Sequence, residues 1–487
     1  MTAAMRRFVL PSMLATSLLL GCNAVPSNLS RPEVGKTAGV GPNQAAPERR
    51  DALYQGKQQF LVSLQDGADA TQVARDLTAA GGQVIDPLPS DLGVMAVAAS
   101  DPDFLAKAKA ISGVDGAMKD FQAFRLSGEV AAGNPKVAEL MPEGSEPRTM
   151  NLLWNMQQIG ADKLEAEGVL GSPDVKVAVL DTGIDYDNPE FAENYDQAHS
   201  TSFIDYGPDA GAGPLDLNGH GSHVAGIIGA NQNGFGVVGV APKTTLMAVK
   251  VLDASGFGDN FGIMKGIVYA ADAGANVINM SIEDRFPINS DEGRIMTKGF
   301  KAAIDYATKK GVFVVTATGN YGENADNSKN VYLPVGAGNQ NVGVSATGPV
   351  GQQNFDAPAL YSDYGTKITD LAAPGGGVAY DPAIGIFPVA MEDMVLSTWS
   401  THAMEQLLFG VFPVGPSPFM YLAGTSMAAP HVAGAAALVL AQRGPMEPEK
   451  LAKVLYQTAD DLGKGGMKAH YGNGRLNAYN AVHSSKK

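Results

Sequence analysis

Five nearly continuous apolar runs constrain this chain more than anything else in it, at 175–180, 245–252, 276–282, 312–318 and 342–346. They lack the polar alternation of a half-solvated strand, which is the pattern of strands buried on both faces. Helical spacing separates them at 223–229, 261–273 and 295–310, and returns at 426–442 and 448–458. Strands alternating with helices predict an α/β fold, a doubly wound and mostly parallel sheet spanning 151–487. In such sheets ligands bind beyond the carboxyl ends of the strands. No internal repeat is evident.

The chain has 487 residues, 45 % of them hydrophobic, enough for a large core. Its net charge of −15 argues against nucleic acid or an anionic membrane surface as the main partner. Cys22 is the only cysteine, so no intramolecular disulfide forms. Residues 1–22 have Arg6 and Arg7, an apolar stretch and then Gly21-Cys22, the layout of a signal peptide. Leu19-Leu20-Gly21-Cys22 resembles a bacterial lipobox, which implies acylation of Cys22 and an extracytoplasmic precursor held to the membrane by lipid. No later run approaches the ~20 apolar residues of a spanning helix.

Residues 23–56 are rich in Pro, Gly, Asn and Ser and read as a polar tether. Over 57–126 the pattern gives a strand at 59–64, a helix at 70–80, a strand at 93–97, a helix at 104–111 and a last strand at 117–124. This predicts a small α+β domain of the split-βαβ kind. Residues 127–150 read as an exposed linker.

Three residues stand where chemistry is expected. Asp181 ends an apolar run. His220 opens a helix within Asn218-Gly219-His220-Gly221-Ser222-His223. Ser426 follows Gly424-Thr425 and leads into Met427-Ala428-Ala429-Pro430-His431, so a tight turn delivers it to the first turn of a buried helix. There the helix dipole favours developing negative charge. Pro430 is expected to be tolerated because the first amides of a helix have no intrahelical partner. A serine needs a histidine to take its proton, and the histidine needs a carboxylate to hold its tautomer. Singly, Asp181 also fits a turn cap, His220 a core histidine and Ser426 a helix cap. His223 and His431 lie inside apolar helical runs and read as structural, while His199, His402, His470 and His483 carry no supporting context.

Together the three blocks resemble the signature blocks of subtilisin-like serine proteases, and the likeness extends over 151–482. It implies an Asp181–His220–Ser426 triad, with Asn320, after the 312–318 run, as the oxyanion asparagine. It further implies a substrate cleft walled by Ser281, Ile282 and Glu283 on one side and Ala317, Thr318 and Gly319 on the other. Residues 57–126 become an inhibitory propeptide, and 127–150 holds the processing site. The loop with Asn231, Asn233, Phe235 and Val237 matches the family's calcium site, joined by Glu190 where an aspartate is usual. Oxygen-only donors suit that hard cation.

Three features depart from the family pattern. Glu283-Asp284-Arg285 replaces small glycines, so an acidic pair favours a basic substrate side chain unless it is only a solvated turn. Tyr332 stands near a pocket floor where glycine is frequent. Residues 376–421 form an apolar insertion, expected as a wall beside the cleft or as a private core.

The expected function is a secreted serine endopeptidase acting on proteins or peptides, made as an autoprocessed zymogen. An α/β-hydrolase esterase would need Gly-x-Ser-x-Gly and serine ahead of histidine, which this chain lacks. An inactive cell-surface binding protein on a protease scaffold is the other alternative, and the intact triad and Asn320 argue against it.

Overall fold

The computed structural model describes residues 57–484 apart from 86–88, 90–91, 121, 126–129, 133–151, 235, 382–384, 388, 405, 409–411, 415 and 464–465. The expected signal peptide with Cys22, the tether and most of the linker lie outside the described residues.

The centre is a seven-stranded parallel sheet. Across it the strands run Leu371–Pro374, Asn341–Thr347, Phe313–Ala317, Val277–Met280, Lys176–Asp181, Thr245–Lys250 and Thr201–Ser202. Both faces are covered, which is why the apolar runs are continuous. Along Lys176–Asp181, Val177 and Val179 enter one core and Ala178 and Leu180 the other. Helices His220–Gly229 and Thr425–Arg443 cover the first face; Asn260–Asp272 and Asp291–Lys309 cover the second. Asp291–Lys309 starts where Ser290 Oγ accepts the Gly293 N–H, a cap worth ~1 kcal/mol.

Residues 58–119 form a four-stranded antiparallel sheet in the order Gln83–Ile85, Val94–Ala99, Gln58–Leu64, Val114–Lys119, with helices Ala70–Ala79 and Phe104–Lys109. One face packs on its own helices through Phe60, Val62, Leu77 and Phe104. The other carries Leu61, Val94, Ala96 and Met118 into the core of Phe261, Met264, Ile295 and Phe300. Each large apolar side chain buried there contributes roughly 1.5–3 kcal/mol. The rim pairs Lys109–Asp291 (2.7 Å) and Lys298–Asp66 (2.9 Å) are exposed and screened by solvent, so apolar burial holds this layer down.

The expected strand at 117–124 divides. Val114–Lys119 stays in the small sheet, while Gln122–Arg125 leaves it and pairs antiparallel with Phe257–Asp259 of the large unit. Further along, Val130–Ala132 pairs antiparallel with Phe419–Ala423, which also pairs with Val395–Thr398. Within the 376–421 segment, Val395, Leu396, Phe419, Met420 and Tyr421 are buried in the main core, while Tyr380, Val389 and Met404 are exposed. The side chains of 407–413 lie outside the description.

Candidate active site

Asp181 ends its strand fully buried, and Oδ1 accepts from the Thr182 N–H and from His220 Nδ1, both at 2.7 Å. Burial pushes its carboxyl above the ordinary range, and the bonds from His220 and Thr182 oppose that push. Because the carboxylate accepts, Nδ1 carries a proton, and in the neutral imidazole Nε2 is then the nitrogen that accepts one. His220 opens the helix His220–Gly229. Gly221 explains one flanking glycine: a Cβ there would meet the Gly183 carbonyl at 2.2 Å, so only glycine brings this helix against the Asp181 turn.

A residue that the motifs did not mark holds the two together. Asp216 Oδ1 accepts from Thr182 Oγ1 (2.9 Å), Asn218 N (2.9 Å) and Gly219 N (2.8 Å), and Oδ2 from Ser222 Oγ (2.7 Å) and N (2.9 Å). Lys250, also fully buried, pairs with Asp209 at 2.9 Å and donates to the Thr182 carbonyl. The only prior signal for Asp216 was its place in the turn just ahead of His220.

Ser426 is the second residue of the 19-residue helix Thr425–Arg443. Its Oγ donates to the Ser281 carbonyl at 3.2 Å. Pro430 lies in the second turn, beyond the unpaired first amides, so the expected reason for its tolerance is corrected. A proline at 430 leaves the Ser426 carbonyl without its intrahelical donor, and Ser281 Oγ donates to that carbonyl at 2.8 Å. Asn320 Oδ1 accepts from Thr425 N (2.8 Å) and Thr425 Oγ1 (3.0 Å). A backbone N–H only donates, so this bond fixes which end of the amide is oxygen and turns the NH2 end elsewhere. A polarisable serine, a histidine oriented by a carboxylate and an oriented amide donor are the parts acyl transfer needs.

Ser281, Ile282, Glu283, Ala317, Thr318 and Gly319 lie together as two buried segments near Ser426. The expected solvated acidic turn is absent: Glu283 is buried, with Oε1 and Oε2 accepting from the Asn320 N–H at 3.1 and 2.9 Å. Arg285 pairs with Glu323 (2.7 Å) and stacks on Tyr321. Tyr332 is buried and donates to Glu323 at 2.9 Å.

Of the expected calcium residues, Glu190, Asn231 and Asn233 come together and Val237 is buried in the main core; Phe235 lies outside the described residues. Glu190 is fully buried, its carbonyl accepts from Asn231 N (2.8 Å) and Oε2 from Asn233 Nδ2 (3.4 Å). The buried carboxylate is the hard-cation donor that these contacts show, and Asn233 presents its NH2 end to it rather than an oxygen. Asp185, Asp187 and His402 form a second group, with His402 Nε2 2.9 Å from Asp187. His223 and His431 are buried, and burial pushes them down to about 3 and about 4, which keeps both neutral.

The sequence pattern of the Subtilase family matches residues 172–474. The chain is 36 % identical over 313 residues to the thermophilic serine proteinase of Bacillus sp. strain AK1, covering 64 % of this chain and 62 % of that protein. It is 32 % identical to thermitase of Thermoactinomyces vulgaris, covering 68 % and 97 %. The crystal structure of an epidermin leader peptide processing serine protease from Staphylococcus aureus shares the fold, with a TM-score of 0.68 at 22 % identity over 88 % of this chain and 99 % of that one.

Proposed function

Because the chain belongs to the subtilase family of serine endopeptidases, we propose that Ser426 is its nucleophile, His220 the general base and Asp181 the group that orients it. Ser426 Oγ attacks the scissile carbonyl as its proton passes to His220 Nε2. The oxyanion is met by the Ser426 N–H at the helix start and by the Asn320 amide. His220 then protonates the leaving amine, and water hydrolyses the acyl-enzyme by the same route. What supports this reading is the buried Asp181–His220 bond, together with a serine in the first turn of the helix Thr425–Arg443.

We further propose that the chain is a zymogen and that residues 57–126 inhibit it until the linker is cut between Ser127 and Asn151. The reading is supported by two strand pairings that this region makes with the large unit: Gln122–Arg125 on Phe257–Asp259, and Val130 opposite Ala423, three residues before Ser426. Acylation of Cys22 would anchor only the part ahead of the cut, so maturation would free the protease from the membrane. Among the described residues no helix is long and apolar enough to cross a membrane. Glu190, Asn231, Asn233 and Val237 would hold calcium, which would neutralise the buried carboxylate and brace the loop.

Wild type and Ser426→Ala, expressed in a host free of other proteases, test the reading. Wild type should yield a fragment beginning within 127–151 that hydrolyses casein, and Ser426→Ala should accumulate as inert precursor. Identical processing of both would exclude self-cleavage. Equal casein hydrolysis by both would exclude Ser426.

A further inference from the structure

The cleft beside Ser426 carries a residue whose placement governs which bond the site accepts. If Ser426 attacks a carbonyl whose oxygen lies toward Asn320, the side chain of the acyl residue points between 281–283 and 317–320. That slot is bridged. Glu283 leaves one wall, and both its oxygens take the Asn320 N–H of the other, at 3.1 and 2.9 Å. Behind it stands Asp363, fully buried; its Oδ1 accepts from Tyr321 N (3.2 Å) and Glu323 N (2.7 Å). Glu283 Oε2 and Asp363 Oδ2 press on one point, 2.0 and 2.4 Å from where a Cβ on Gly319 would sit.

We propose that Glu283 closes the primary specificity slot, so that this protease cuts after residues with small side chains, Gly, Ala or Ser, rather than after aromatic, aliphatic or basic ones. This rests on the protease reading above. A carboxylate at the floor of an open slot would recruit lysine or arginine. Glu283 is instead only 6 % exposed and faces an N–H across the slot. Basic side chains therefore meet a filled space, and large apolar ones meet the same obstruction with a charge in it. The precursor offers a matching segment: the residues joining its two docked strands are Leu126-Ser127-Gly128-Glu129, small at the centre.

The test uses wild type, Glu283→Gly and Glu283→Gln, each expressed as the full chain and matured. Peptides based on Gln-Ala-Phe-Arg-Leu-X-Gly-Glu-Val-Ala, with X as Gly, Ala, Ser, Leu, Phe or Lys, are digested, and mass spectrometry identifies the bond cut. Wild type should favour Ala, Ser and Gly over Phe and Leu by at least tenfold in kcat/KM. Glu283→Gly should raise Phe and Leu at least tenfold relative to Ala. Glu283→Gln, which keeps the bulk, should retain the wild-type order and stands in if the glycine variant does not fold. Preference for Phe or Leu in wild type would overturn the proposal. Preference for Lys, lost in Glu283→Gln, would overturn it in favour of a cation-binding carboxylate. Failure of wild type to cut any peptide or casein would refute the protease reading itself.

Discussion

Ser281 and Ser426 are tied in both directions: Ser281 Oγ donates to the Ser426 carbonyl at 2.8 Å, and Ser426 Oγ donates to the Ser281 carbonyl at 3.2 Å. The first bond replaces the one Pro430 cannot make, and Asn279 Nδ2 holds Ser281 Oγ in place at 2.9 Å. The nucleophile's backbone is thus fixed by a cleft wall as well as by its own helix.

Ser281→Ala should therefore leave a buried carbonyl without its side-chain donor, at a cost of about 1–3 kcal/mol. Adding Pro430→Ala restores an amide donor to the same carbonyl. The double variant should recover part of the lost unfolding midpoint and part of kcat, a coupling of more than about 0.5 kcal/mol in a double-mutant cycle. Strictly additive losses would mean that the two residues do not share this carbonyl.

Calcium removal should destabilise the folded chain. A ligand bound only by the folded state adds ~2.7 kcal/mol at a hundredfold excess over its Kd. In a Ser426→Ala background, chelator should lower the unfolding midpoint, and Glu190→Gln should abolish most of that response. An unchanged midpoint with chelator would count against this site.

Asp363 gives the fold a pH dependence of definite sign. Burial pushes its carboxyl up to about 8 from an ordinary 3.8, while the Glu323 N–H and Arg285 oppose the shift. Between those values the folded state holds the proton more tightly than the unfolded chain does. This contribution is full below about pH 4 and is lost as pH rises toward 8. In a Ser426→Ala background, the midpoint with Asp363 should fall more steeply from pH 5 to 8 than with Asp363→Asn. Parallel curves would show that Asp363 ionises without penalty.

Much of this was legible because its causes are local. Continuous apolar runs required strands covered on both faces, and the surroundings of Asp181, His220 and Ser426 were readable as turns at element ends. What escaped depends on partners distant in sequence. Asp216 and Lys250 are polar residues whose burial exists only once the Thr182 turn packs on them. Glu283 read equally well as a solvated charge or a basic-side-chain receptor, until Asn320 and Asp363 were found around it. The stretch at 117–124 carries one strand-like pattern, yet it divides between two sheets because Phe257–Asp259 offers a free edge to its second half.

The most direct test of the central claim is covalent labelling of the matured enzyme with a fluorophosphonate, followed by peptide mapping. A single adduct on Ser426 is expected, with labelling at least a hundredfold slower in His220→Ala and casein hydrolysis falling in step with the labelled fraction. An adduct on another residue, or full hydrolysis by enzyme whose Ser426 is quantitatively labelled, would contradict the account.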